Sequence, residues 1–121
     1  MRLRHYRTAF VPVIGTLAPM KVNLSKRTIF LIDNIFDDEL SECAQNLLSQ
    51  ECTKAILSCD SWDESQLERI WFAAIKISGG DLDKLMDAIV LSQVDWRDLL
   101  ISAGFADNLD SHNKWSYQYG S

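Results

Sequence analysis

The sequence is poor in the groups that usually carry chemistry. Its 121 residues include two histidines, His5 and His112, and three cysteines, Cys43, Cys52 and Cys59. The cysteine number is odd and no C-x-x-C pair occurs, so neither a disulfide framework nor a zinc pattern is expected. All three thiols fall on a predicted helix or its end, with no basic cluster nearby to lower a thiol pKa. Buried, unreactive thiols in a reducing compartment are the expected state. The histidines sit in the two terminal stretches, outside segments expected to be rigid. Cys–His or general-base catalysis needs positioned groups, so a thiol enzyme is disfavoured.

Other absences narrow the field further. No apolar run approaches the ~20 residues needed to span a bilayer. The start, MRLRHYRTAFVPVIGTLAPM, loosely imitates a secretory signal but is broken by Pro12, Gly15 and Pro19 and lacks a clean small-residue cleavage site, so secretion is not expected. Met20, followed by Lys21, offers an alternative start of translation. The acids Asp33, Asp37, Asp38 and Glu39 cluster without the glycine and spacing of an EF-hand loop. SGGD lacks the lysine and length of a P-loop. No internal repeat or low-complexity segment stands out.

Charge is present but segregated. Residues 1 to 27 hold six bases and no acid, whereas residues 28 to 121 hold all 17 acids against six bases. The pattern is a basic arm on an acidic body, and the body is unsuited to a phosphate backbone. The helix–Gly–Gly–helix stretch from 62 to 93 invites a helix-turn-helix reading, but its second helix presents Asp81, Asp83 and Asp87 against Lys84. A recognition helix of that charge would be repelled by DNA.

Residues 8 to 17 are β-prone but contain Pro12, which predicts an edge strand or loose arm. TIFLI at 28 to 32 reads as a strand or a hydrophobic lead-in packed on helices. From Asp37 the spacing turns helical: Leu40, Cys43, Ala44, Leu47, Leu48, Cys52, Ala55, Ile56 and Cys59 form one apolar stripe. Ser61 and Glu64 suggest a capping box opening a helix over about 62 to 77, which Gly79–Gly80 ends. That helix carries Leu67, Ile70, Trp71, Ala74 and Ile77 on one face, with Phe72 and Ile75 outside it. So wide an apolar surface implies either a central helix packed on two sides or a face kept for a partner. Asp81 caps the next helix, whose stripe is Leu82, Leu85, Met86, Ile89 and Val90.

DWRDLLISAGF, residues 95 to 105, then poses a choice between a site and a well-punctuated helix. Asp95 fits an N-cap, Asp98 a favourable first-turn acid, Gly104 the C′ position and Phe105 the C″ position of a Schellman motif. Each charged residue already has a structural role, so Asp95, Arg97 and Asp98 are not read as an acid–base cluster. Trp96 remains open as core or partner anchor.

ERIWFAAIKISGGDLDKLMDAI followed by DWRDLLISAGFA resembles a group of small, uncharacterised bacterial proteins that share the S-G-G-D-L turn and the D-W-R-D-L-L-x-x-A-G-F segment. The similarity covers about residues 67 to 106. It implies a bacterial, cytoplasmic setting and brings no activity, cofactor or site residue.

These readings give a mainly α fold: a small bundle of about four helices behind an extended or short β N-terminal arm. Residues 1 to 36 are the basic arm or short strands, 37 to 106 the helical domain, and 107 to 121 a flexible polar tail. The expected function is a non-catalytic protein-interaction or regulatory module, with no cofactor or metal, binding a protein partner or a second copy through Trp71, Phe72, Ile75 and Trp96. The alternative is a nucleic-acid-associated protein using the basic arm.

Overall fold

A computed structural model describes residues 22 to 57, 59 and 61 to 120. The β-prone run at 8 to 17, Met20 and most of the expected arm lie outside the described residues. Within them the chain forms six α-helices and one 3-10 turn, with no strand. The fold is mainly α, and the helix count rises from the expected four to six.

The first additional helix is α1, Lys26–Ile35. Ser25 caps it, its hydroxyl accepting from the Thr28 amide at 3.2 Å. The TIFLI run, expected to be a strand or lead-in, is therefore helical. Its buried residues Thr28, Leu31 and Ile32 follow the i, i+3, i+4 spacing of a helix face. Burial of that face overrides the weak β preference of threonine and isoleucine.

Helix α2 spans Asp38–Glu51, with Asp38 and Glu39 in its first turn where the helix dipole favours negative charge. The single stripe expected to run on to Cys59 breaks at Cys52, whose φ of −131° and ψ of 70° are not helical. Thr53 restarts the chain: its hydroxyl accepts from the Ile56 amide at 3.2 Å and opens the one-turn α3, Lys54–Leu57. The Cys52 carbonyl accepts instead from the Trp71 indole N–H at 2.9 Å.

Helix α4 spans Glu64–Ser78. Its cap is Asp63 and not Ser61. Asp63 Oδ1 accepts from the Gln66 amide at 3.0 Å, so D-x-x-Q two residues on replaces the expected S-x-x-E. Gly79, at φ 57°, ends the helix. Gly80, at φ 92°, has a second constraint: a Cβ there would lie 2.6 Å from the carbonyl oxygen of Ile35, at the end of α1.

Helix α5 runs Leu82–Ala103, capped by Asp81, which accepts from the amides of Asp83 at 2.8 Å and Lys84 at 3.3 Å. It is interrupted at Asp95, with φ −158° and ψ 95°. Asp95 Oδ1 accepts from the Arg97 amide at 3.0 Å, so the aspartate caps a fresh helical segment as its sequence position implies. The end is a Schellman motif: Phe105 N–H donates to Leu100 O at 2.9 Å and Gly104 N–H to Ile101 O at 3.1 Å.

Residues 107 to 121, expected to be a flexible tail, instead carry α6, Ser111–Ser116, and a 3-10 turn, Tyr117–Tyr119. His112, Trp115, Ser116 and Tyr119 recur at helical spacing, with His112 and Ser116 buried.

Helix α4 is the axis of the fold. It packs chiefly on α5, and also on α1 and α6, while α2 and α3 lie against α5. Two of its cations hold the end of α5. Arg69 donates to Phe105 O at 2.5 Å, and Lys76 donates to Ala103 O at 2.7 Å with its ammonium 4.9 Å from the Phe105 ring centre. Positive charge at these terminal carbonyls complements the helix dipole. No helix among the described residues is long and apolar enough to cross a membrane.

Candidate interaction surface

Of the expected contact residues, Trp71, Phe72 and Ile75 are buried within the chain. The reason is the position of α4. Covered by α1, α5 and α6, it supplies both its apolar stripe and the residues beside that stripe to the core. Trp71 also spends its indole N–H on Cys52 O. Phe72 meets His112 edge-on at 5.4 Å and lies beneath the Arg27 guanidinium at 5.1 Å. Of the two readings of the wide face, the central helix packed on several sides describes α4.

Trp96 is different. It is half-buried and meets Trp62, also half-buried, edge-to-face with ring centres 4.7 Å apart. The exposed Arg97 guanidinium stacks over its ring at 4.8 Å. The pair brackets the interruption at Asp95, with Trp62 arriving just ahead of the α4 cap.

Exposed apolar side chains occur in α5 on both sides of this interruption. Val90 is 48% exposed, Val94 78% and Ile101 63%. Val90 and Val94, one turn apart, share a face of the segment before Asp95. Val90 was expected in the buried stripe. It lies ~100° further round the helix than the fully buried Ile89, which carries it out of the core. Ile56 on α3, 42% exposed, is a further uncovered aliphatic. The sequence signal for this surface was present but ambiguous, since Val94 and Ile101 fall outside the apolar stripe of Leu82, Leu85, Met86, Ile89 and Val90.

A second constellation brings polar groups together at the α1–α4–α6 junction. Ser25 Oγ donates to Glu68 Oε2 at 2.5 Å and shares a 2.7 Å hydrogen bond with Thr28 Oγ1. Arg27 pairs with Glu68 at 3.5 Å and donates to the Asn113 side chain. His112, expected in a mobile end, is held here with 4% of its surface exposed, and its Nδ1 has no hydrogen-bond partner. Burial is the largest influence on the ring and lowers its pKa. Arg69 and Arg27 lower it further, while Glu68 and Asp110 act in the opposite sense.

Serine, glutamate and histidine thus occur together, but in the wrong order for nucleophilic catalysis. The Ser25 hydroxyl points its proton at the carboxylate, and its oxygen is the cap of α1. Cys52 is fully buried and its thiol is pushed up to about 12, chiefly by desolvation, so thiolate is scarce at neutral pH. No group of acids, histidines or cysteines suited to holding a metal occurs among the described residues. An open depression of 290 Å³ between the start of α1 and α2 is lined by Val22, Asn23, Leu24, Ile29, Gln45, Asn46 and Ser49. Those described side chains are apolar, amide or hydroxyl, with no titratable group among them.

Comparison with protein-family models, with curated proteins and with solved structures gives no match to this chain.

Proposed function

We propose that this chain is a non-catalytic protein-interaction module that meets its partner through the outer side of α5. The observation that supports this reading most directly is the exposure of Val90 and Val94 on one face of the α5 segment before Asp95, and of Ile101 on the segment after it, while the inner side of both segments is packed. Aliphatic groups on an interior-quality helix gain free energy when covered, ~25 cal/mol for each Å² removed from water. Trp96, the one member of the expected contact set that retains exposure, follows Val94 by two residues and supplies an anchor of the kind that concentrates binding energy at interfaces. The charged residues around it, Asp87, Arg97 and Asp98, would form a polar rim.

Site-specific photo-crosslinking in the native host tests this. A photoreactive residue replacing Val94 is expected to give a discrete adduct that disappears when Val90 and Ile101 are both changed to Asp. The same probe at Ser65, exposed at the start of α4, is expected to give none. Equal labelling from both positions, or no adduct from position 94, would remove the proposal.

A further inference from the structure

His112 is a buried base that the α5 reading leaves unused, and its surroundings suit one protonation state. A neutral imidazole carries one N–H and one lone pair, whereas an imidazolium must place two donors. Here Nδ1 is buried without a partner. Phe72 lies edge-on at 5.4 Å and Phe105 at 6.2 Å. The charged groups facing the ring are Glu68 and Arg69 from α4, Arg27 from α1 and Asp110 from its own segment. Glu68, the carboxylate best placed to compensate an added proton, is already engaged by Ser25 and Arg27. Burial outweighs the pull of the two carboxylates, so an imidazolium would be a desolvated charge whose Nδ1 donor lacks an acceptor.

The helix that carries His112 is well suited to local release. At six residues, α6 is too short to persist without its contacts. It is held by packing on α4, by the Arg27–Asn113 hydrogen bond and by Trp115 against Phe72 at 6.2 Å and Phe105 at 5.8 Å. From this geometry we infer that His112 is a proton-operated latch: the neutral ring seats α6 on α4, and protonation releases residues 107 to 120, uncovering Phe72 and Phe105.

The sign of the effect follows from linkage. The ring's pKa is lowered in the docked state, and in the released segment it returns to about the ordinary 6.5. As pH falls through 6.5 the released form takes up a proton that the docked form does not. The ratio of docked to released chain then drops by up to about tenfold per pH unit until the docked ring itself protonates. Above that window the latch is closed and insensitive to pH.

The test uses the full chain carrying His5→Gln, so that a single histidine titrates. Amide hydrogen exchange and the His112 ring resonances are followed by NMR from pH 7.5 to 5. Exchange rates are corrected for the intrinsic pH dependence of the chemistry. The expected result is loss of protection in α6 as the ring protonates, while core amides of Ile75 and Ile89 stay protected. His112→Gln, which cannot titrate, is expected to hold α6 equally at both ends of the range. Should that variant leave α6 undocked at pH 7.5, the ring titration of the parent chain decides. A midpoint below the ordinary histidine value, coincident with loss of α6 protection, supports the latch. Undiminished α6 protection at pH 5, or an α6 pH response retained by a docked His112→Gln chain, overturns it.

Discussion

Helices α4 and α5 are the two longest among the described residues and both are rich in apolar residues, yet their surfaces end differently. In α4 even the side chains beside the main stripe, Phe72 and Ile75, are enclosed. In α5 the inner side is equally enclosed, while Val94 stays 78% exposed. The difference comes from neighbours. Helix α4 has companions on several sides, whereas the described part of the chain leaves the far side of α5 uncovered. Apolar content sets the demand for cover. Which element meets that demand depends on how segments distant in sequence come together.

Substitutions on the two helices sharpen this contrast. Trp71→Ala should cost about 3 to 5 kcal/mol, because it empties a packed site on α4 and strips the Cys52 carbonyl of its donor. Urea unfolding monitored by circular dichroism measures it, and a loss below that of an ordinary surface change would contradict the central placement of α4. Gly80→Ala comes next, at about 1 to 3 kcal/mol for the positive φ, with the contact to Ile35 O adding to it. Gly79→Ala provides the control, since a Cβ there meets nothing within 4 Å and only the backbone conformation resists it. Asp95→Ala should cost about 1 kcal/mol through loss of the cap within α5. The smallest effect is expected on the outer side: Val94→Ala should alter the stability of the isolated chain by less than about 0.5 kcal/mol. A large loss at Val94 would mean that this side is already covered within the chain or by a second copy.

Thiol chemistry gives an independent check on the interior. Cys52 should resist alkylation under native conditions near neutral pH and react once the chain is unfolded. Rapid native modification at that residue, identified by peptide mass, would contradict its burial and raised pKa.

Much of the punctuation was readable in the sequence because it is local chemistry. Asp81, Asp95, Gly79 and Gly104 each do what their residue type and position predict. The misreadings share a cause. The capping motif at Ser61 competed with a like motif at Asp63, and only the path of the chain chooses between them. The TIFLI run has β-branched residues, but its buried positions are helical once α2 and α4 lie beside it. The polar C-terminal stretch concealed the periodicity of His112, Trp115 and Tyr119, because such short helices take their stability from the surface they dock on. For the same reason the buried histidine could not be found from composition: its setting is assembled from α1, α4 and the segment after α5. The aliphatic groups of α5 were visible as residues, but their exposure depends on the absence of a described neighbour.

The turn at Gly80 also bears on how this architecture can change over time. Its missing side chain sets the distance at which the end of one helix rests on the elbow joining two others. Any descendant that acquires a methyl group at this point must shift either the end of α1 or the elbow between α4 and α5. A single hydrogen atom thereby sets how closely three helices meet.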